Sequence, residues 1–172
     1  MNENGIKFEQ WYYGPQQRAL FAFGSEYRKK TKLFDSFNNT FSIQRVLESR
    51  NSKKPTQRLI ERNETVYVFA NTVDFVKKWG YKHLNYGIDI QYNNVGSTAS
   101  SGSSTRYADG GSQLSSWSAY SQYKHPLGRN TFVSGGLRYN SSQLKALFED
   151  IASYNLPFRE IELNNDALTS SL

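Results

Sequence analysis

Alternation with a period of two runs through most of this chain, and it constrains the fold more than any other feature. Between 84 and 93, Leu84, Tyr86, Ile88, Ile90 and Tyr92 point one way, while Asn85, Gly87, Asp89, Gln91 and Asn93 point the other. Such alternation marks a strand with one apolar and one polar face. A second stretch, 131–140, sets Thr131, Val133, Gly135, Leu137 and Tyr139 against Phe132, Ser134, Gly136, Arg138 and Asn140. Weaker versions occupy 17–28, 37–47, 65–77 and 117–124, and Ile161 to Leu172 starts a seventh. These runs are long beside the usual strand of about five to six residues. Helical spacing is confined to 143–152, where Leu144, Leu147, Phe148 and Ile151 predict a short helix or a turn. The expectation is an all-β chain, a curved antiparallel meander of about six to seven long strands.

The connectors add a second constraint. Residues 29–36, 78–83 and 125–130 are short and turn-like. Residues 48–64, 94–116 and 142–160 are long and polar, with low complexity at 97–104. Short and long alternate. A soluble sheet does not require that order, whereas a transmembrane barrel does, with tight turns on one side of the membrane and long loops on the other. The aromatic content points the same way: 12 Tyr, 11 Phe and 3 Trp, gathered near strand ends at Trp11, Tyr12, Tyr13, Trp79, Tyr81, Tyr123 and Tyr139. Rings placed there would form interfacial girdles. Tyr and Trp also favour strands of any kind, so a soluble sheet stays open at this point.

Several function classes are excluded or weakened by composition. Without Cys there is no disulfide scaffold, thiolate metal site or cysteine nucleophile, and His83 and His125 are the only histidines. Both fall at expected turns. No window holds eighteen consecutive apolar residues, so no transmembrane helix is expected; that test is blind to barrels. The net charge of +6 would suit nucleic acid. However, the basic groups (Arg28 to Lys32, Lys53–Lys54, and Lys77, Lys78 and Lys82) fall between apolar-patterned segments without a basic helix. Solvated turns are the simpler reading, and no nucleic-acid partner is expected. The opening Met1-Asn-Glu-Asn-Gly lacks the basic and apolar regions of a signal peptide.

Several stretches resemble the β-barrel domain of TonB-dependent outer-membrane receptors. The strongest is Thr105-Arg-Tyr-Ala-Asp-Gly-Gly-Ser112, then Trp117-Ser-Ala-Tyr-Ser-Gln-Tyr123, then Phe132-Val-Ser-Gly-Gly-Leu-Arg-Tyr-Asn140. Upstream, Trp11-Tyr-Tyr-Gly-Pro-Gln16, the Gln44…Glu48-Ser-Arg50 stretch and Asn85-Tyr-Gly-Ile-Asp-Ile-Gln-Tyr92 are similar in the same order. The resemblance spans nearly the whole chain. It implies a Gram-negative outer-membrane location, uptake of siderophores or other large nutrients, and energy delivered through the TonB complex. It further implies lipid against Tyr86, Ile88, Ile90, Val133 and Leu137, and a hydrated lumen against Asp89, Gln91 and Arg138. Barrels of this kind close with roughly 22 strands around a plug. This chain offers six or seven strands, no plug, no TonB-contacting segment and no terminal aromatic strand residue. It is therefore expected to be an internal piece of such a barrel, partnered by the remaining wall and plug.

No arrangement of residues supports catalysis, and no cofactor or metal is expected. Glu149–Asp150 and Glu160 with Glu162 are carboxylate pairs in a loop without a neighbouring His. Gly110–Gly111 lacks the strand–glycine–helix context and the Lys of a phosphate loop. Asn38, Asn63 and Asn140 begin glycosylation-like triplets, which chance supplies in so Asn- and Ser-rich a chain. If a ligand is contacted, the long-loop rim is the place, with Arg106, Tyr107 and Asp109 as candidates. The structural alternative for Asp109 is that it simply ends the loop. The rival function, from a different class, is a soluble β-sheet module that binds carbohydrate on Tyr and Trp platforms.

Overall fold

The computed structural model describes residues 7–100, 103–128 and 130–172. The Met1-Asn-Glu-Asn-Gly opening, Ser101 in the low-complexity run and Arg129 in the 125–130 connector lie outside them.

Eight strands form one open, uncurled antiparallel sheet: β1 (Gln10–Tyr13), β2 (Gln17–Arg28), β3 (Ser36–Lys53), β4 (Ile60–Trp79), β5 (Lys82–Ala99), β6 (Ser112–Pro126), β7 (Phe132–Leu147) and β8 (Glu160–Ser171). From β2 onward each strand pairs with the next in sequence, so the sheet is a meander. Both β1 and β2 pair with β3, β1 along Arg50–Lys53 and β2 along Ser36–Leu47. They share one lane, interrupted at Gly14-Pro15-Gln16, where Pro15 has no N–H to give to the ladder. Seven lanes result, in line with the expected six to seven.

Strand ends differ from the sequence reading. Residues 48–53, 60–64, 94–99, 112–116 and 142–147, expected in loops, belong to strands. The ladder needs only backbone N–H and C=O groups, so it continues where side chains are polar on both sides and alternation vanishes. The helical spacing at 143–152 also resolves differently. Leu144 lies in β7, opposite Leu114 and Leu163, and one helical turn, α1 (Ile151–Tyr154), follows in the loop. Connectors 54–59, 100–111 and 148–159 leave one end of the sheet, and 29–35, 80–81 and 127–131 the other. Gly80, at φ +60°, takes the first central position of the tight 80–81 turn, where a two-residue hairpin loop needs glycine.

One face is apolar across every lane. Phe21 faces Ile43 and Phe69 faces Tyr92; Phe37, Phe75 and Tyr86 align, as do Val73, Ile88, Ala119, Tyr139 and Leu168. These side chains are not covered: Phe21 is 61 % exposed, Ile88 47 % and Leu137 56 %. Among the described residues Ala108 is the one buried hydrophobic side chain. The blemishes on this face are satisfied locally, for Asn39 and Asn71 donate their amides to the Thr72 and Thr40 carbonyls at 3.2 and 3.4 Å.

The 29–35 turn folds against the lower edge of this face. Phe34 sits among Phe37 and Phe75, with ring centroids at 5.8 and 5.5 Å. Beneath the turn Lys77 is buried, its Nζ donating to Asp35 Oδ1 at 2.8 Å and to the Thr31 carbonyl. Lys77 is thus an ion-paired strand residue and not a solvated turn charge. The alternating pattern places Lys on the apolar face there, and burial is tolerable only because the turn supplies the counter-charge.

Candidate functional site

The opposite face is polar and cross-linked. Asp89 on β5 accepts from Arg138 on β7 at 2.7 Å and from the Ser118 hydroxyl of β6 at 3.1 Å. Arg138 also donates from Nε to Asn140 Oδ1 at 2.8 Å and lies over the Tyr120 ring at 5.6 Å. Tyr120 in turn donates its hydroxyl to Asp74 on β4. Charged and polar side chains of β4 to β7 are therefore tied into one network. Gly87 makes room for it: a Cβ there would come within 2.7 Å of the Tyr120 hydroxyl and 2.5 Å of the Val73 carbonyl oxygen. Gln91 shares this face and donates to Asn93 at 3.2 Å. Asp89, Gln91 and Arg138 thus lie on one face, and Tyr86, Ile88, Ile90 and Leu137 on the other. Val133, paired with His125, belongs to the second set.

Toward the long-loop end the polar face changes character. Arg50 of β3 stands opposite Arg62 of β4, and in the next row of the same face Glu48 stands opposite Glu64. Like charges directly opposite in an antiparallel pair are destabilising. The residues are only partly compensated. Arg62 donates to the Ser104 carbonyl at 2.9 Å, and Glu48 lies 3.9 Å from Arg106. Glu64 is 3 % exposed, yet both its carboxylate oxygens lack a hydrogen-bond partner among the described residues, as does the buried Nε of Arg50. Buried charge without partners is costly and uncommon in folded proteins. Aromatic rings flank the group: Tyr13 lies under Arg50 at 5.2 Å, with Trp11 edge-on to Tyr13 at 5.1 Å.

The three rim candidates separate here. Arg106 joins the arginine group and stacks over the Tyr107 ring at 5.3 Å. Tyr107 is held by its backbone, with its N–H directed to Ser97 Oγ at 3.5 Å and its carbonyl accepting from Thr105 at 2.5 Å. Asp109 faces the neighbouring loop instead, accepting from the N–H groups of Glu149 and Asp150 at 2.9 and 2.8 Å. Burial works to raise its pKa, but those N–H groups outweigh it and hold the carboxyl below its ordinary value. Asp109 is a loop clasp. Arg50, Arg62 and Glu64 were not singled out in the sequence, although Arg50 ends the Glu48-Ser-Arg50 stretch. Continuing the alternation of β3 and β4 past 47 and 65 places all three on the polar face.

Neither a protein-family model nor a curated protein sequence matches the chain.

Proposed function

We propose that this chain is a stretch of barrel wall from an outer-membrane receptor of the TonB-dependent kind, importing a siderophore-like or other large nutrient. The observation that carries this reading is the uncovered apolar face: Phe21, Ile88 and Leu137 are 61, 47 and 56 % exposed, and no second layer lies over them among the described residues. On β5 the belt from Leu84 to Tyr92 covers about 27 Å along the strand, and the roughly 35–45° strand tilt of transmembrane barrels would bring that to about 19–22 Å, near their ~25 Å apolar band.

Open edges support the same reading. The outer edges of the β1/β2 lane and of β8 are unpaired among the described residues. Lipid cannot satisfy free backbone groups, so a sheet like this functions in a membrane only when further strands close it. No residue of the chain is assigned chemistry, and the TonB complex and plug would act through other parts of the receptor. A soluble carbohydrate-binding sheet fits less well, because a sandwich would bury Phe21, Ile88 and Leu137 against a second layer.

The test is insertion. Ile88→Arg or Leu137→Arg should cost roughly 2–4 kcal/mol near the bilayer midplane, while Asp89→Asn should be tolerated. In a barrel whose remaining strands close the sheet, folding into liposomes followed by protease protection reads both. Equal damage from Asp89→Leu and Ile88→Arg would reverse the faces. A chain that purifies from water as a monomer with a sharp cooperative melt would replace this reading with the soluble module.

A further inference from the structure

The arginine group at the long-loop end borders a cavity of about 460 Å³, lined by Arg50, Arg62, Arg106, Lys54, Lys7 and Trp11 among others. Its size falls within the range of small-molecule sites, roughly 300–1,000 Å³. Five cations line it and no acid does; Glu48 and Glu64 stand one row further along β3 and β4, and Glu9 is paired with Lys53 at 3.0 Å. Of these acids, Glu48 is engaged with Arg106, so the cavity carries excess positive charge.

We propose that this cavity binds a planar, carboxylate-bearing anion, a proposal that rests on the receptor reading and names the ligand chemistry of its rim. Two arginines directly across a strand pair repel one another, and an interposed carboxylate would relieve that repulsion. Guanidinium groups match a carboxylate with two parallel N–H···O bonds, and Arg50, Arg62 and Arg106 all line the cavity. Trp11 supplies a flat apolar wall, and the Arg50–Tyr13 stack fixes the guanidinium plane beside it. Charge and ring surface therefore sit side by side, as a flat anion requires.

The probes are naphthalene-2-carboxylate, its neutral carboxamide, and inorganic phosphate, titrated calorimetrically into the full chain in detergent micelles with empty micelles as blank. The carboxylate should bind at least tenfold more tightly than either of the others. Arg50→Gln and Arg62→Gln should each weaken it tenfold or more, whereas Lys30→Gln, which removes one charge at the opposite end of the sheet, should leave it unchanged. Equal binding of acid and amide overturns the proposal, and so does phosphate binding as tight as the carboxylate. The wild-type comparison needs no variant to fold. Solubility without detergent is measured in parallel. A chain that needs detergent but shows no preference for the acid defeats this inference alone, and one that prefers the acid but is a soluble monomer with a sharp cooperative melt in water defeats the receptor reading alone.

Discussion

The two ends of the sheet handle buried charge in opposite ways. At the short-turn end, Lys77 is 8 % exposed on an apolar face, and the turn above it exists in a form that satisfies it: Asp35 Oδ1, the Thr31 carbonyl, and a second Asp35 oxygen tied to the Lys78 N–H at 2.8 Å. At the long-loop end, Glu64 is 3 % exposed with neither carboxylate oxygen engaged among the described residues, and the buried Arg50 Nε likewise has no partner among them. Paired burial of this kind fixes a turn, whereas unpaired burial leaves a desolvation cost that no described residue offsets. On the reading proposed above, the first is a structural ionic site and the second borders a binding one.

The contrast breaks most readily at the short-turn end. Asp35→Ala leaves the Lys77 ammonium buried with only the Thr31 carbonyl. Removing one partner of a buried pair is strongly destabilising, and this is the largest effect expected of any variant here. Urea unfolding of the chain in detergent should show it, and Asp35→Ala combined with Lys77→Met should recover most of the loss. A double variant as unstable as the single would mean that the turn is held by Phe34 packing and not by the ion pair. Acid gives the same test without mutation. The hydrogen bond from Lys77, helped by the Lys78 N–H, holds the Asp35 carboxyl below its ordinary value. A folded-state value below the unfolded one gives stability that is present above the unfolded value, near ~3.9, and lost as pH falls through the folded one. Amide exchange at Thr31 and Asp35 should therefore accelerate only below about pH 4, and Asp35→Ala should abolish that dependence.

Asp109 sharpens the comparison within the long-loop end. Its carboxylate is as well satisfied as that of Asp35, but by backbone N–H groups of the adjacent loop. Asp109→Ala should cost roughly 1–2 kcal/mol, less than Asp35→Ala because it leaves no buried ammonium without its counter-charge. The loss should be local. Exchange at Glu149 and Asp150 should speed up while the β3–β4 ladder stays protected, and global unfolding along with them would contradict the clasp.

These contrasts were unevenly legible in the sequence. The faces were readable at Ile88 and Asp89 because the two sides of the strand meet different surroundings, and alternation records that difference. Beyond the belt, at Ser49, Asn51 or Asn63, both sides are polar, so the pattern fades although the ladder continues, and the strands were ended too early. Leu144 and Leu147 mimic helical spacing while sitting in β7. Arg106, Tyr107 and Asp109 are neighbours in sequence, yet a turn sends Arg106 to the arginine group and Asp109 to the next loop. The pairing of Lys77 with Asp35 spans 42 positions and depends on how the turn folds back, which no local pattern carries.

The smallest expected effect is also the most discriminating. Glu64→Gln removes a buried charge that has no hydrogen-bond partner among the described residues, so the cost of desolvating it disappears along with any long-range attraction to Arg50 and Arg62. The amide still needs hydrogen bonds, which limits the gain. Stability should change by less than about 1 kcal/mol, with the sign toward stabilisation. The same substitution raises the net positive charge of the rim by one unit. A bound carboxylate should then be held more tightly, by a factor of a few, and the gain should shrink as salt is raised because the site is open to solvent. Unfolding midpoints and calorimetric titration of the single variant read the two quantities independently. A loss of more than about 2 kcal/mol would show that Glu64 is a paired structural carboxylate like Asp35, and the distinction between the two ends would collapse.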